Sequence, residues 1–409
     1  MPAASEFSER DRLGMGAVLS FVLRLRLAGC RPVHRIGHDS QSSDPSDVVA
    51  RGPSSSRPEA TAPRHSEERA MPKFRSVQVS EPGGTFRFVE RDLPRPGRGQ
   101  ARIAVEACGV CRTDSAFING AFPNVPFPLV PGHEIAGRID ALGEDVEHWR
   151  VGERVAVGWF GGHCGTCVPC REGDLIHCEM IQVPGWAYPG GYAEAMVVPA
   201  SALAHVPDAF SAVEAAPMGC AGVATFNALR RSAARPGDLV AVLGVGGLGH
   251  LGVQFAAKLG FETVAIARGS EIAETAKKLG VHHYIDGDAG DVPAKLQKLG
   301  GAKVVLATAS SAKAMSATID GLRHNGELLV LGATPEPIEV SPFQLIATSR
   351  TVHGHPSGTA RDVEETLRFA ALAGIRPMTE VRPLEEVDAA YKRLMAGDAR
   401  FRMVLTMSS

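Results

Sequence analysis

The 409-residue chain carries 43 Lys and Arg against 45 Asp and Glu, a formal net charge of -2 at pH 7, with 44% hydrophobic and 22% charged residues. That length suits two compact domains, and the charge balance excludes a general attraction to nucleic acid or to an anionic membrane, leaving small molecules as the default ligands. Of the eight cysteines, Cys164, Cys167, Cys170 and Cys178 lie too close together for a typical disulfide framework and suit metal binding in a reducing compartment such as the cytoplasm.

In chain order, the first segment holds no run of about 20 uninterrupted apolar residues, so no membrane span is expected. The nearest stretch, Met15 to Gly29, is broken by Arg24 and Arg26 and is preceded by Glu6, Glu9 and Asp11, where a secretory signal would be basic. An organelle transit peptide is matched equally poorly. Residues 31 to 70 are rich in Ser, Pro, Arg, His and Glu, a disordered composition. Residues 1 to 70 are therefore read as a disordered extension or a misassigned start.

From Met71 the text becomes dense in apolar alternation. Residues 71 to 222 show short apolar runs such as Ala101 to Val105 and Arg154 to Val157 between Gly and Pro, which predicts a β-rich domain with long loops. From Leu239 the rhythm changes to strand, turn, helix. Strands are predicted over Leu239 to Leu243, Thr263 to Ala267, Lys303 to Ala307 and Glu327 to Leu331, with helices over Gly247 to Leu259, Glu271 to Leu279 and Ala312 to Leu322. Such alternation over 223 to 356 implies α/β architecture with a doubly wound parallel sheet. Residues 357 to 409 hold two amphipathic helices, near Val363 to Ala373 and Leu384 to Met395, and a last strand at Arg402 to Thr406; they are expected to return to the first domain. No internal repeat is visible.

The turn Gly244-Val245-Gly246-Gly247-Leu248-Gly249 sits between the first of these strands and a helix pattern. In that setting the glycines have physical tasks: a tight turn, close approach of a pyrophosphate to backbone amides, and close helix packing. The phosphates would sit at the positive end of the helix. The alternative is a ligand-free glycine-rich turn. About 20 residues on, where a carboxylate would bind the ribose of NAD, stand Ala267-Arg268-Gly269-Ser270. Loss of the carboxylate removes repulsion of a 2'-phosphate, and Arg268 with Ser270 offers it partners. NADP is expected over NAD.

Cys164-x2-Cys167-x2-Cys170-x7-Cys178 offers four thiolates to one ion, and tetrahedral zinc with no open position is the natural occupant. Such a site is structural. The competing account, an iron site or a redox disulfide pair, lacks a thioredoxin-like setting, and a nucleic-acid module lacks a basic helix, Arg171 being the lobe's one cation. Elsewhere Cys111, His133 and Cys220 make up a Cys2His set, which with an open fourth position is a catalytic zinc arrangement. Spacing alone does not bring the three together, and a buried Cys is commonly a core residue.

Over Met71 to the C-terminus the chain resembles the zinc-dependent medium-chain alcohol dehydrogenases, particularly the branch of yeast-type and cinnamyl alcohol dehydrogenases. The matching motifs are Cys111-Arg112-Thr113-Asp114, Gly132-His133-Glu134, the four-cysteine lobe, Cys220-Ala221-Gly222-Val223-Ala224-Thr225 and the Gly244 to Gly249 turn, all in family order. The resemblance implies a GroES-like catalytic domain joined to a Rossmann domain, and an enzyme interconverting alcohols with aldehydes or ketones. It implies two zinc ions per chain, the catalytic one held by Cys111, His133 and Cys220, with Glu134 as an exchanging ligand. Asp114 would orient His133, and Thr113 would hydrogen-bond the reacting oxygen. Arg112 and Arg402 match pyrophosphate contacts, Thr225 a position beside the nicotinamide, and Phe122 and Trp159 substrate-pocket aromatics. Homodimers or homotetramers through edge pairing of the nucleotide domain are also implied.

One position departs from the pattern. Many relatives carry a histidine five residues after the first zinc-binding cysteine, as a proton relay, and this chain has Ala116. The proton is then expected to leave Thr113 through water, the cofactor ribose or another group. Two other functions share this fold class: a zinc-independent quinone or enoyl reductase, and a non-enzymatic NADP- and zinc-binding protein. The first has no need of Cys111, His133 and Cys220 together, and the second none of Thr113, Asp114 and Glu134.

Overall fold

The computed structural model describes residues 72–407; the expectations for residues 1 to 70 lie outside these. Strands β1 (Lys73–Val79) and β2 (Phe86–Asp92) form an antiparallel pair, Lys73 opposite Asp92 and Val79 opposite Phe86. Strand β3 (Gln100–Val110) follows, buried at every second residue and then continuously from Ala107 to Val110. This is the pattern of a strand with one face on a core and an end that dives into it. β3 pairs with β4 (Ile135–Leu142), and β4 with β5 (Arg154–Val157). β6 (Ala195–Pro199) lies along the first half of β3, and the short β7 (Ala204–His205) caps β5.

The second sheet is parallel throughout. Its strands are β8 (Leu239–Leu243), β9 (Glu262–Ala267), β10 (His283–Asp286), β11 (Ala302–Ala307), β12 (Leu322–Val330) and β13 (Thr351–Gly354), in the spatial order β10-β9-β8-β11-β12-β13. The order reverses between β8 and β9 on one side and β11 on the other. Ligands of such sheets bind at that switch point, outside the carboxyl ends of the strands. β8 is buried at all five residues, as expected of a strand covered on both faces. The last strands, β14 (Thr379–Pro383) and β15 (Arg402–Thr406), belong to the first sheet, where Met403 to Thr406 of β15 pair antiparallel with Val110 to Ala107 of β3.

Helix Ala221–Arg230 joins the two sheets and is buried from Ala221 to Leu229. One continuous core runs through it, from Ala107, Ala136 and Ala156 of the first sheet to Val240, Val242 and Leu306 of the second. Its far end is fixed by charge: the guanidinium of Arg231 donates to Asp362 at 2.9 Å. The side-chain amide of Asn227 donates to the carbonyl of Ser357 at 3.1 Å.

The predicted helix over Ala312 to Leu322 ends at Thr318, and a 3-10 turn, Ile319–Gly321, takes over. There a Cβ on Gly321 would lie 2.5 Å from Leu296, so the turn is pressed against helix Val292–Lys298. The strand predicted at Glu327 begins instead at Leu322. Asn325 bends it, with φ +56, and the register to β11 shifts beside it. The helix predicted from Gly247 begins at Gly249.

Candidate active site

Cys111 leaves the end of β3 and stands as the N-cap of helix Arg112–Ile118, with φ -111 and ψ 147. The carboxylate of Asp114, at the third position of the helix, accepts the Cys111 backbone N–H at 2.9 Å. This is one half of a capping box. Its other oxygen meets His133 Nδ1 at 2.7 Å. One side chain thus fixes both the helix start that presents Cys111 and the ring plane of His133. Both Asp114 and His133 are completely buried.

Cys220 caps helix Ala221–Arg230 after a tight turn, Ala216–Gly219. The structure brings it to Cys111, His133 and Glu134, whose ligating atoms all lie within 4.8 Å of one another. His133 Nε2 and Glu134 Oε2 are buried with no hydrogen-bond partner. Buried polar atoms without partners are costly, and these two belong to donors of the kind a zinc ion takes. The residues present therefore fit the metal.

The ionisable groups of the set shift one another strongly. The neighbouring Cys220 thiol pulls the Cys111 pKa well below the usual thiol range despite burial, and the Cys220 thiol, beside Cys111 and buried, is itself pushed well above that range. Burial pushes the His133 imidazole down, but Asp114 and then Cys111 outweigh it and the net shift is upward. Burial drives Glu134 up to about 7 against the pull of Arg402. Arg402 pairs with Glu134. Its Nη1 lies 2.7 Å from the point a Cβ on Gly247 would occupy, so one buried arginine spans the metal set and the glycine-rich turn.

At that turn Gly244 has φ +91, a conformation that favours glycine. A Cβ on Gly249 would overlap the Gly244 carbonyl, and one on Gly246 would face open space. The tight turn and the close helix packing are thus both present, with an open cradle between them. The first rung of the helix runs from His250 N–H to Gly246 O at 3.0 Å, so the preceding amides lie outside the ladder. Arg402 Nε is buried and has no hydrogen-bond partner.

His250 ties the turn to the returning chain. Its Nδ1 bonds the Gly246 carbonyl at 3.0 Å and its Nε2 accepts the Met378 N–H at 3.2 Å. Burial lowers its pKa to about 4. Between pH 6.5 and 4 the unfolded chain binds a proton that the folded chain refuses, so stability falls as the pH falls through this window. The loss is about 3 kcal/mol at its end. His250→Gln is expected to remove that part of the slope, read as a flatter plot of unfolding free energy against pH.

The remaining expected residues fall as follows. Thr113 is half-buried beside Cys111 and its hydroxyl has no protein partner. Thr225 is fully buried and its hydroxyl is satisfied by Ala221 O at 2.8 Å. Its methyl is 3.6 Å from the point a Cβ on Gly252 would take, a helix-packing contact. Arg112 is exposed and reaches the Met395 carbonyl at 3.4 Å. Arg268 is exposed and unpaired, and Ser270 is exposed next to it. Asp286, at the end of β10, accepts the Gly269 N–H at 3.0 Å. A carboxylate therefore stands at this turn after all, supplied by the neighbouring strand.

Phe122 and Trp159 stand with two residues the sequence reading missed, Phe117 and Trp186. Trp159 meets the His133 ring edge-on at 5.5 Å, and the buried Phe117 stacks between Trp159 and Trp186 at 5.9 and 6.0 Å. Phe117 was detectable, because it lies three residues after Asp114 on one helix and so shares its face. Trp186 was not, since only the folded loop brings it to Phe122 at 5.3 Å.

In the other lobe all four cysteines are free thiols. Cys178 Sγ lies 3.7 Å from Cys164 Sγ and 3.9 Å from Cys167 Sγ. Two thiolates bound tetrahedrally at about 2.3 Å sit roughly 3.8 Å apart. The Thr166 and Cys167 amides aim at Cys164 Sγ at 3.5 and 3.4 Å. Led by the Thr166 amide, these bonds hold its pKa down at about 6.

Residues 97–208 match the alcohol dehydrogenase GroES-like domain, and residues 247–371 the zinc-binding dehydrogenase domain. An alcohol dehydrogenase of Penicillium expansum, patD, is 42% identical over 334 residues, covering 82% of this chain and 98% of that one. Among solved structures, a cinnamyl alcohol dehydrogenase of Sorghum bicolor matches with a TM-score of 0.75 at 27% identity, over 82% of this chain and 98% of that one. A CAD of Helicobacter pylori complexed with NADP(H) matches with a TM-score of 0.73 at 26% identity, again over 82% and 98%. With the two cysteine-bearing metal sets and the paired sheets, these likenesses place the chain in the zinc-containing medium-chain alcohol dehydrogenase family, as an NAD(P)-dependent enzyme.

Proposed function

We propose that the chain interconverts alcohols and aldehydes or ketones at the pocket between Cys111, His133, Cys220 and the aromatic group, with NADP as the preferred nicotinamide. The carrying observation is the convergence of three residues from distant segments, together with the orphaned Nε2 of His133. A zinc ion there supplies Lewis acidity toward the substrate oxygen, and the nicotinamide supplies hydride exchange.

The chain's own residues do the rest. Thr113 takes the hydroxyl proton, since its own hydroxyl has no other partner. Asp114 holds His133 in the tautomer that points Nε2 into the metal set. Glu134 stands by as a fourth ligand and is held off by Arg402, which with Arg112 and the Gly244, Gly246, Gly247, Leu248 and Gly249 backbone cradles the pyrophosphate. Thr225 backs the nicotinamide pocket. Phe122, Trp159 and Trp186, gathered around the buried Phe117, make this side of the site apolar and aromatic, which suits substrates with apolar or aromatic groups. Cys164, Cys167, Cys170 and Cys178 hold the second, structural zinc.

The NADP preference rests on Arg268, free of protein partners, with Ser270 beside it; Asp286 at the same turn pulls toward NAD. A single charge-assisted hydrogen bond to the 2'-phosphate is worth about 1.5–3 kcal/mol. Arg268→Ala is therefore expected to lower kcat/KM for NADP by roughly 10- to 100-fold and leave that for NAD within about twofold. A steady-state screen of primary, secondary and aromatic alcohols and the matching aldehydes, with both nicotinamides in parallel, tests reaction and cofactor together. Activity confined to NAD would reverse the cofactor assignment.

Association through a second copy is supported at the free edge of the parallel sheet. All four residues of β13 are exposed, and Phe343 and Ile346, on the neighbouring helix Pro342–Ile346, are 78% and 76% exposed. An open strand edge beside apolar surface is a template for pairing, which favours a homodimer or homotetramer. Among the described residues no helix is long and apolar enough to cross a membrane. The free cysteines favour a cytoplasmic location.

A further inference from the structure

We propose that Tyr192 is a positioning residue of the catalytic metal set, acting through Asp114. The inference rests on zinc being held by Cys111, His133 and Cys220. The Tyr192 hydroxyl donates to Asp114 Oδ2 at 3.1 Å. The same oxygen takes the Cys111 N–H at 2.9 Å, and Oδ1 meets His133 Nδ1 at 2.7 Å. Tyr192, Asp114 and His133 are all fully buried, so no bulk water stands ready to replace a lost donor.

A carboxylate has two oxygens and rotates about one bond. If Oδ2 is held by a single donor, it can swing, and Oδ1 swings with it. Two donors on Oδ2, with His133 on Oδ1, hold the plane, and with it the ring orientation that aims Nε2 inward. Tyr192 is itself immobile. Its N–H bonds Pro131 O at 3.0 Å, its carbonyl accepts Val77 N–H at 2.8 Å, and its ring lies 2.6 Å from the point a Cβ on Gly132 would occupy. The residue thus presses on the backbone just before His133 while gripping the partner of the His133 side chain. Its position, 78 residues from Asp114, explains why spacing gives no hint of it.

Tyr192→Phe removes one oxygen and keeps the ring. The test is zinc release from the holoenzyme to the chromogenic chelator 4-(2-pyridylazo)resorcinol. Wild type should release two zinc ions per chain, the catalytic phase being the one missing from Cys111→Ser. Tyr192→Phe is expected to speed that phase about tenfold, within the range seen for outer partners of metal ligands. The four-cysteine phase should stay within twofold. In an Asp114→Asn background the same change should add less than about twofold.

Equal acceleration of both phases would mean a loosened core and overturn the proposal, as would no acceleration. A wild type with one zinc would instead overturn the reading beneath it. Should the variant fail to fold, protein grown with 3-fluorotyrosine, whose phenol is a stronger donor, is expected to release the catalytic zinc more slowly, and an unchanged rate overturns the proposal.

Discussion

Replacing Cys111 by Ser, or His133 by Asn, is expected to cut kcat/KM by about a thousandfold or more and to lower zinc from two ions per chain to one. The Lewis-acid contribution of a bound metal is several kcal/mol, and each 1.36 kcal/mol is a factor of ten in rate. No other described group can stand in, because the buried set contains only Cys111, His133, Glu134 and Cys220. Cys108 supplies the control. It is a buried thiol three residues upstream, its Sγ 2.8 and 2.9 Å from the points Cβ atoms on Gly132 and Gly191 would occupy, and it lies outside the set. Cys108→Ser should keep two zinc ions and most of the activity. Elemental analysis of purified protein beside steady-state kinetics decides the matter. A Cys111→Ser enzyme with full zinc and full rate would remove the ligand from the assignment.

The metal set shows what a sequence can and cannot carry. Cys111 and Asp114 are legible together because a helix cap obeys local rules: the acidic residue at the third position reaches back to the cap, whatever the fold. Gly244 and Gly249 are legible for the same reason, since their need for a missing Cβ is set by the backbone next to them. Cys220 obeys no such rule. It reaches Cys111 only because helix Ala221–Arg230 runs from the first sheet into the second, a packing fact of the whole chain. The resemblance to known enzymes supplied it.

Asp286, Trp186 and Tyr192 were invisible for a related reason. Each acts on a residue 17, 64 and 78 positions away, respectively Gly269, Phe122 and Asp114. Among the secondary elements, the missed ones are short or exposed: β10 has four residues and one buried, and β13 has four and none. Apolar periodicity carries no signal where little is buried.

Cys178→Ser in the other lobe is expected to leave the initial kcat/KM within about threefold while speeding thermal inactivation at least about tenfold. The segment between Cys164 and Cys178 has almost no core of its own. Leu175 and Ile176 are only partly buried, and Val168 is 51% exposed. Its helix is four residues long, Val168–Arg171, too short to persist alone. Metal binding to such a loop is folding free energy, on the order of 10 kcal/mol for structural zinc at neutral pH. Its loss should free the loop without reaching the buried set around His133. The lobe packs against the opposite end of the helix that begins at Cys220, where Glu172 and Asp174 share a cleft with Arg230, Arg231 and Asp362. Once the lobe loosens, Asp362 and its arginines lose their cover, and unfolding of the helix follows. Activity should therefore be normal at first and decay with time at about 50 °C, in step with release of the one remaining zinc. Immediate loss of rate with unchanged lifetime would show that the lobe shapes the pocket directly, through Trp159 five residues before Cys164.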